Sequence, residues 1–116
     1  MMTLPPSLQL AMNYLTDHAT AGATVAEAAR RAGISPPWLT RLFRKHIGKT
    51  PTRHLLEVRV KAAGAMLSAG ESLVRAAGRA GFSDQAHMTR AFKRVCGQTP
   101  AKFVRGARKN VQDCAS

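Results

Sequence analysis

One motif occurs twice in the chain, and this repetition is the strongest constraint on how the chain folds. Residues 33–51 read Gly-Ile-Ser-Pro-Pro-Trp-Leu-Thr-Arg-Leu-Phe-Arg-Lys-His-Ile-Gly-Lys-Thr-Pro, and residues 81–100 read Gly-Phe-Ser-Asp-Gln-Ala-His-Met-Thr-Arg-Ala-Phe-Lys-Arg-Val-Cys-Gly-Gln-Thr-Pro. Each copy begins with a glycine turn, continues as an amphipathic helix with a basic outer face, and ends at Gly-x-Thr-Pro. The pattern therefore predicts two equivalent binding elements.

The repetition also extends upstream of the basic helix. Residues 24–35 match residues 72–83 at an offset of 48, whereas Arg41 pairs with Arg90 at an offset of 49. One residue has therefore been added to the second copy. We place it within residues 84–87, because an insertion is cheapest at a turn and a helix start. Two copies are too few for a solenoid, so the pattern indicates duplication of one supersecondary unit.

Apolar periodicity, with glycine and proline as punctuation, predicts helices along most of the chain. The first is a scaffold helix that ends at Gly22. The second is capped by Thr24, and Glu27 completes a capping box. Further helices are predicted over about 36–46, 52–68, 72–80, 84–95 and 101–106. In the last of these helices, Phe103 and Val104 are expected to face inward.

A short alanine-rich helix, a glycine turn and a second helix with a basic outer face form the helix-turn-helix pattern. The expected fold is all-α, with two homeodomain-like helix-turn-helix subdomains joined by a central linker helix. The expected organisation is a scaffold helix with the first helix-turn-helix (1–51), the linker helix (52–69), the second helix-turn-helix with a final short helix (70–106), and a basic, flexible tail (107–116).

The charge of the chain favours a polyanionic partner. Lys and Arg number 18 against six acids, for a formal net charge of +12, and the first 29 residues contain neither Lys nor Arg. Such a charge costs self-repulsion, so nucleic acid is the first candidate partner and an anionic membrane surface the second. No transmembrane helix is expected, because the sequence has no apolar run of 18 residues. Residues at the N-terminus lack the basic segment and uninterrupted apolar core typical of a signal peptide, and two cysteines do not make a disulfide framework. A cytoplasmic, nucleoid-associated protein is expected.

The residue types on the two basic helices fit the major groove of DNA. Arginine contacts guanine bidentately, glutamine contacts adenine, and threonine bonds a base edge or touches a thymine methyl. The base-reading candidates are Pro37, Thr40, Arg41, Gln85, Ala86, Thr89 and Arg90. Pro37 and Ala86 are included because they lie on the same outer faces as the polar candidates. The phosphate candidates are Ser35, Trp38, Arg44, Lys45, Ser83, His87, Lys93 and Arg94. The serines lie at the turns and the four Lys and Arg residues lie later on each helix. For Trp38 and His87, on the flanks, packing against a neighbouring helix is the alternative.

The length of the linker helix suggests that both helices act on one DNA duplex. About 17 residues span roughly 25 Å, which, with the width of a unit at each end, puts the outer helices about one DNA turn apart, roughly 34 Å. One chain could then bind two successive major grooves as a monomer. Because the two faces differ, the site of roughly 20 base pairs should lack palindromic symmetry.

Catalysis and metal binding are not supported by the sequence. The four histidines show no metal-ligand spacing, the six carboxylates are scattered, and no serine stands in a nucleophile elbow. We therefore expect neither an enzyme nor a cofactor.

The motifs resemble the DNA-binding domain of the AraC/XylS family of bacterial transcription regulators. The likeness covers about residues 7–105 and is carried by Gly81-Phe-Ser-Asp, His87-Met-Thr-Arg-Ala-Phe-Lys-Arg, Gly97-Gln-Thr-Pro and, upstream, Leu39-Thr-Arg-Leu-Phe-Arg and Gly48-Lys-Thr-Pro. It implies seven helices, promoter binding and, usually, activation through contact with RNA polymerase. It also implies that the seven base-reading candidates face the major groove.

The resemblance leaves several questions to test. Most family members carry a further ligand-binding or dimerisation domain, so the chain is either a small single-domain member or a piece of a longer, dimerising regulator. The pair Pro36-Pro37 makes the first helix face poor in polar groups at its start, so its specificity is expected to rest on Thr40, Arg41 and Arg44. The alternative functions are nonspecific DNA packaging and a basic module for protein or membrane contact.

Overall fold

The computed structural model describes residues 3–106, which are arranged as α-helices without a β-strand. The seven helices are α1 (Pro6–His18), α2 (Val25–Ala32), α3 (Pro36–His46), α4 (Pro51–Ser68), α5 (Leu73–Arg79), α6 (Gln85–Cys96) and α7 (Pro100–Arg105), with a single turn of 3₁₀ helix at Ala19–Ala21 after α1. The all-α prediction is confirmed, and the helices predicted from 36, 52, 84 and 101 begin within one residue of those positions. The basic tail predicted for residues 107–116 lies outside the described residues.

Polar side chains fix where six of the helices begin. In each case a side-chain oxygen accepts a hydrogen bond from the backbone N–H three residues further on, which satisfies one of the unpaired donors of the first turn. These residues are Thr24, Ser35, Thr50, Ser72, Asp84 and Thr99. Because the same device recurs before α3 and α6, the two basic helices begin in the same way.

The capping box predicted before α2 is formed only in part. Thr24 Oγ1 accepts the Glu27 N–H at 3.1 Å, as expected. The Glu27 carboxylate, however, bonds the guanidinium groups of Arg30 and Arg31. The reason is that a charge-assisted bond to an arginine one turn away is stronger than a bond to a neutral amide.

The turns that connect α2 to α3 and α5 to α6 share one hydrogen-bond pattern. In the first turn Gly33 has φ 74°, and the N–H of Ile34 donates to the carbonyl of Ala29 at 3.0 Å. In the second turn Gly81 has φ 97°, and the corresponding bond is also 3.0 Å. This is the Schellman arrangement, in which a left-handed residue closes the helix and redirects the chain. The duplication therefore holds at the level of the backbone.

A pair of glycine substitutions tests the backbone requirement at the first turn. Gly33→Ala should lower the free energy of unfolding by roughly 1–2 kcal/mol, because a Cβ disfavours the left-handed conformation. Gly78→Ala is the matched control: it lies in α5 with ordinary φ, and its added Cβ would meet no atom within 4 Å. It should raise stability by about 0.5–1 kcal/mol. Urea denaturation measures both, and equal signs for the two changes would contradict the assignment.

The chain divides into two compact units at the junction of Leu55 and Leu56, within α4. In the first unit, α1 packs against α2 and α3. Its core is formed by Leu8, Ala11, Leu15, Ala19, Ala23, Ala28, Ala29, Leu39, Phe43 and Leu55. His54 secures the start of α4 to this unit, since its Nε2 lies 2.9 Å from Thr16 Oγ1 and its ring packs 5.6 Å from that of Phe43.

The second unit has its own core beneath α6. It consists of Val60, Ala63, Leu67, Ala76, Ala77, Ala80, Phe82, Met88, Ala91, Phe92 and Phe103. The rings of Phe92 and Phe103 meet at 5.2 Å, which joins α6 to α7. The inward orientation predicted for Val104 was wrong, because 42% of its surface is exposed. Adjacent residues of a helix point about 100° apart, so a one-sided helix that buries Phe103 turns Val104 outward.

Across residues 3–106, each helix is too short or too polar to cross a membrane.

Candidate nucleic-acid interface

The side chains of α3 separate into a buried face and a basic exposed face. Leu39 and Phe43 are fully buried and hold the helix to the first unit. The exposed residues are Ser35, Pro37, Trp38, Arg41, Arg44 and Lys45, and Thr40 is half-buried beside them. All the candidates predicted for the first copy therefore lie on or beside one accessible surface. The division between base and phosphate contacts stays a prediction.

The side chains of α6 are arranged in the same way. Met88, Ala91 and Phe92 are buried, which leaves the opposite side of the helix to solvent. The exposed residues are Ser83, Gln85, Ala86, Arg90, Lys93 and Arg94, and Thr89 and His87 are half-buried. At an offset of 49, Thr-Arg at 40–41 matches Thr-Arg at 89–90, and Arg-Lys at 44–45 matches Lys-Arg at 93–94. The two helices thus present the same chemistry in the same order.

The position of the extra residue in the second copy differs from the prediction. Ile34 and Phe82 occupy the same place after the left-handed glycine. In the first copy the cap of α3, Ser35, follows Ile34 directly. In the second copy one residue separates Phe82 from the cap of α6, Asp84. The inserted residue is therefore Ser83, and its placement within residues 84–87 was wrong. An insertion before the cap leaves both the turn bonds and the helix start intact, which explains why the chain tolerates it there.

His87 holds the inserted residue in place. Its Nδ1 accepts a hydrogen bond from the Ser83 N–H at 3.4 Å and lies 3.2 Å from Ser83 Oγ. The edge of its ring packs against Phe82, with the ring centroids 5.1 Å apart. Asp84 completes the arrangement, because its carboxylate accepts the His87 N–H at 2.7 Å. Sequence reasoning missed this role of His87, although an acidic cap three residues before a histidine is a visible signal.

Trp38 stands at the position equivalent to His87 but makes a different contact. The guanidinium carbon of Arg41 lies 5.6 Å from the centroid of the Trp38 ring. The indole is 47% exposed. In α3 this flanking position therefore contacts a predicted base-reading arginine, whereas in α6 it contacts the preceding turn.

Two acidic residues of the helix-turn-helix units, Glu27 on α2 and Glu71 before α5, form ion pairs with arginines outside α3 and α6. Glu27 pairs with Arg30 and Arg31, and Glu71 pairs with Arg79, the atoms of the last pair lying 2.6 Å apart. Within residues 3–106 no ion pair involves the cations of α3 and α6 named above. The positive charge of these two faces is therefore not neutralised internally.

The ion pairs of Glu27 also set the direction of its titration. Hydrogen bonds from Arg30 lower the pKa of this carboxyl, with a further contribution from Arg31. A lowered folded-state pKa means that the stabilisation is present above the unfolded-state value and is lost as the pH falls through the folded-state value. The contribution to stability is small because the groups are exposed.

A shallow cavity of about 180 Å³ lies beside α6 in the second unit. Its lining includes His87, Arg90 and Arg94, which follow one another along one side of the helix, and Leu56 of α4. Two guanidinium groups at one rim suit an anionic oxygen better than an apolar ligand. Elsewhere, residues 3–106 contain no group of three or more His, Cys, Asp or Glu side chains placed to hold a metal ion.

Comparison with known proteins identifies the family. A helix-turn-helix domain family matches residues 28–106. The chain is also 32% identical over 107 residues to the arabinose operon regulatory protein of Escherichia coli K12, covering 90% of this chain and 37% of that protein. The chain belongs to the AraC/XylS family. The family's members are helix-turn-helix transcription regulators, and the resemblance found in the sequence motifs is confirmed.

Two further AraC-type proteins show the extent of the similarity. The transcriptional regulator GlxA of Rhizobium meliloti 1021 is 41% identical over 78 residues, covering 66% of this chain and 24% of that protein. The DNA-binding domain of AdpA, a global transcriptional factor solved in complex with a target DNA, matches with a TM-score of 0.80 and 28% identity, covering 90% of this chain and 95% of that chain. The chain thus spans well under half of these two curated relatives, 37% and 24%, and nearly all of an isolated DNA-binding domain.

Proposed function

We propose that this chain is a sequence-specific, double-stranded DNA-binding regulator of transcription that places α3 and α6 in two successive major grooves. The observation that carries the proposal is the duplicated face: two helices in the same turn and cap context expose Thr-Arg followed by two further cations. A single basic helix face is commonly just a solvated surface. Two matched faces without internal ion pairs, on a chain of net charge +12, favour a long polyanion.

Roles can be assigned along each helix by distance from its N-terminus. Residues of the first turns reach base edges, so Thr40, Arg41, Thr89 and Arg90 are proposed to read bases, with Gln85 at the start of α6. Pro37 and Ala86 offer only apolar contact, for example with a thymine methyl. The later cations of each helix, Arg44, Lys45, Lys93 and Arg94, are proposed to bind phosphates and to fix the register.

The flanking residues are proposed to act at the edges of the groove. Since Nδ1 of His87 accepts from the Ser83 N–H, Nε2 is the ring nitrogen left to donate to a phosphate oxygen. The hydroxyl groups of Ser35 and Ser83 are proposed as weaker phosphate contacts. In the first unit, Trp38 lies at the corresponding edge, where its ring contacts Arg41.

The biological setting follows from the family. We propose promoter binding and activation through RNA polymerase, in the cytoplasm at the nucleoid. The chain would bind DNA as a monomer by itself, and as part of a dimer where it belongs to a longer regulator. No catalytic activity is proposed, since the family consists of regulators.

Selection from a randomised duplex library tests the proposal. We expect enrichment of a motif of roughly 20 base pairs with two conserved segments about one helical turn apart. A motif confined to one segment would contradict the two-groove arrangement. No enriched motif, with similar affinity for every duplex, would indicate nonspecific packaging. Equal or tighter binding to anionic vesicles than to duplex DNA at physiological salt would indicate a basic interaction module instead.

A further inference from the structure

We infer that Trp38 is a positioning residue that holds the guanidinium of Arg41 for base contact, and that α6 has no such device. The inference rests on the proposed function and concerns how α3 achieves specificity. Its basis is the contact between Arg41 and the Trp38 ring, at 5.6 Å from the ring centroid. The two residues lie three apart on α3, a spacing at which side chains of a helix meet.

The first turn of α3 is rigid before either side chain is considered. Pro36 and Pro37 fix φ at the first two helical positions, and the Ser35 hydroxyl accepts the Trp38 N–H at 3.2 Å. The backbone of Trp38 is therefore closely defined. The same prolines remove polar side chains from the start of this face, so base recognition by α3 has to be concentrated in the residues that follow.

An exposed guanidinium is ordinarily mobile, and ordering it at a base edge costs side-chain entropy. Stacking on an aromatic face restricts the guanidinium plane and leaves its N–H groups at the edge free to donate. Arg41 held in this way therefore loses less side-chain entropy on binding guanine O6 and N7 than an unrestrained arginine does. The half-exposed indole would then assist base contact by restricting Arg41 on the exposed face of α3.

The second copy supplies an internal comparison. His87 and Arg90 stand at the positions of Trp38 and Arg41, but the His87 ring is engaged with Ser83 and Phe82. The flanking ring of the second copy therefore packs on the turn that contains Ser83. We expect coupling between the flanking residue and the arginine in α3 and not in α6.

The stack can be measured in the free protein without reference to DNA. Protons of the Arg41 side chain above the indole face should show an upfield ring-current shift in the NMR spectrum. Trp38→Ala should return them to random-coil values, whereas Trp38→Phe should retain a smaller shift. Arg41 protons at random-coil values in the unmodified chain would overturn the inference.

A double-mutant cycle on the selected duplex measures the consequence. Trp38→Ala should weaken binding about two- to fivefold, the range for an exposed cation–π contact, and should reduce discrimination at the same base pair as Arg41→Gln. In the Arg41→Gln background, Trp38→Ala should have no further effect. In the chain that keeps Arg41, Trp38→Phe should cost less affinity than Trp38→Ala does. The control cycle of His87→Ala with Arg90→Gln should be additive.

The outcomes separate this inference from the proposed function. Equal loss from Trp38→Ala in both backgrounds would mean that the indole contacts DNA directly, and would overturn the positioning role. Failure to enrich any duplex would refute the proposed function, and the inference would fall with it even if NMR showed the stack. An enriched duplex with additive Trp38 and Arg41 effects would refute the inference alone.

Discussion

Arg90→Ala is expected to weaken binding to the selected duplex by about 1–3 kcal/mol and to relax the base preference in one of its two segments. The reason is that a guanidinium in the groove makes a bidentate contact that water or a wrong base does not replace. Arg90 is exposed on α6 and in no ion pair among residues 3–106, so its removal should leave the fold intact. Titrations on duplexes with single base-pair changes measure both effects.

Lys93→Ala is the matched control, because it removes one charge from the same helix face one turn later. It should weaken binding to all duplexes alike and reduce the slope of log affinity against log salt by about 1. If Arg90→Ala instead lowers the affinity of every duplex equally, Arg90 binds a phosphate. Its place beside Arg94 and His87 at the shallow cavity is then the explanation.

Phe92→Ala should produce a large loss of stability. Phe92 is fully buried in the second unit, and its ring meets that of Phe103 at 5.2 Å. Truncation to alanine removes that contact and leaves a cavity, at a cost of about 3–5 kcal/mol. A small domain has only about 5–15 kcal/mol in total, so the second unit should be largely lost under mild denaturation.

The measurement is the free energy of unfolding in urea, followed by circular dichroism. Val74→Ala is the control, because 68% of the Val74 surface is exposed, and it should change stability by less than about 0.5 kcal/mol. Phe43→Ala, at the equivalent buried position of the first unit, should behave like Phe92→Ala. A cost below about 1 kcal/mol for Phe92→Ala would show that this core does not depend on the ring.

The helix boundaries and the two faces could be predicted because their causes are local. Proline, glycine and hydroxyl or carboxylate caps mark where α3, α4, α6 and α7 begin, and apolar periodicity separates a buried side from a basic side on α3 and α6. Val104 was misplaced because periodicity is weak evidence in a helix of six residues. The candidate surface was equally accessible to prediction, since exposed basic residues follow from the same periodicity.

The contacts of the flanking residues could not be predicted from pattern alone. Trp38 and His87 occupy equivalent positions, yet one packs on Arg41 and the other binds Ser83. The difference depends on a single inserted residue whose backbone N–H needs an acceptor, and an alignment of the two copies did not locate it correctly. The capping box at Glu27 was also mispredicted, because its carboxylate bonds Arg30 and Arg31 of the same helix instead of the backbone N–H of Thr24.

Methylation interference on the selected duplex tests the central claim most directly, because a methyl group on guanine N7 blocks contact in the major groove only. The two-groove account predicts two clusters of interfering guanines about 10 base pairs apart. Arg41→Ala should abolish interference in one cluster and Arg90→Ala in the other. A single cluster affected by both substitutions, or interference spread evenly along the duplex, would contradict the claim that α3 and α6 each read a major groove.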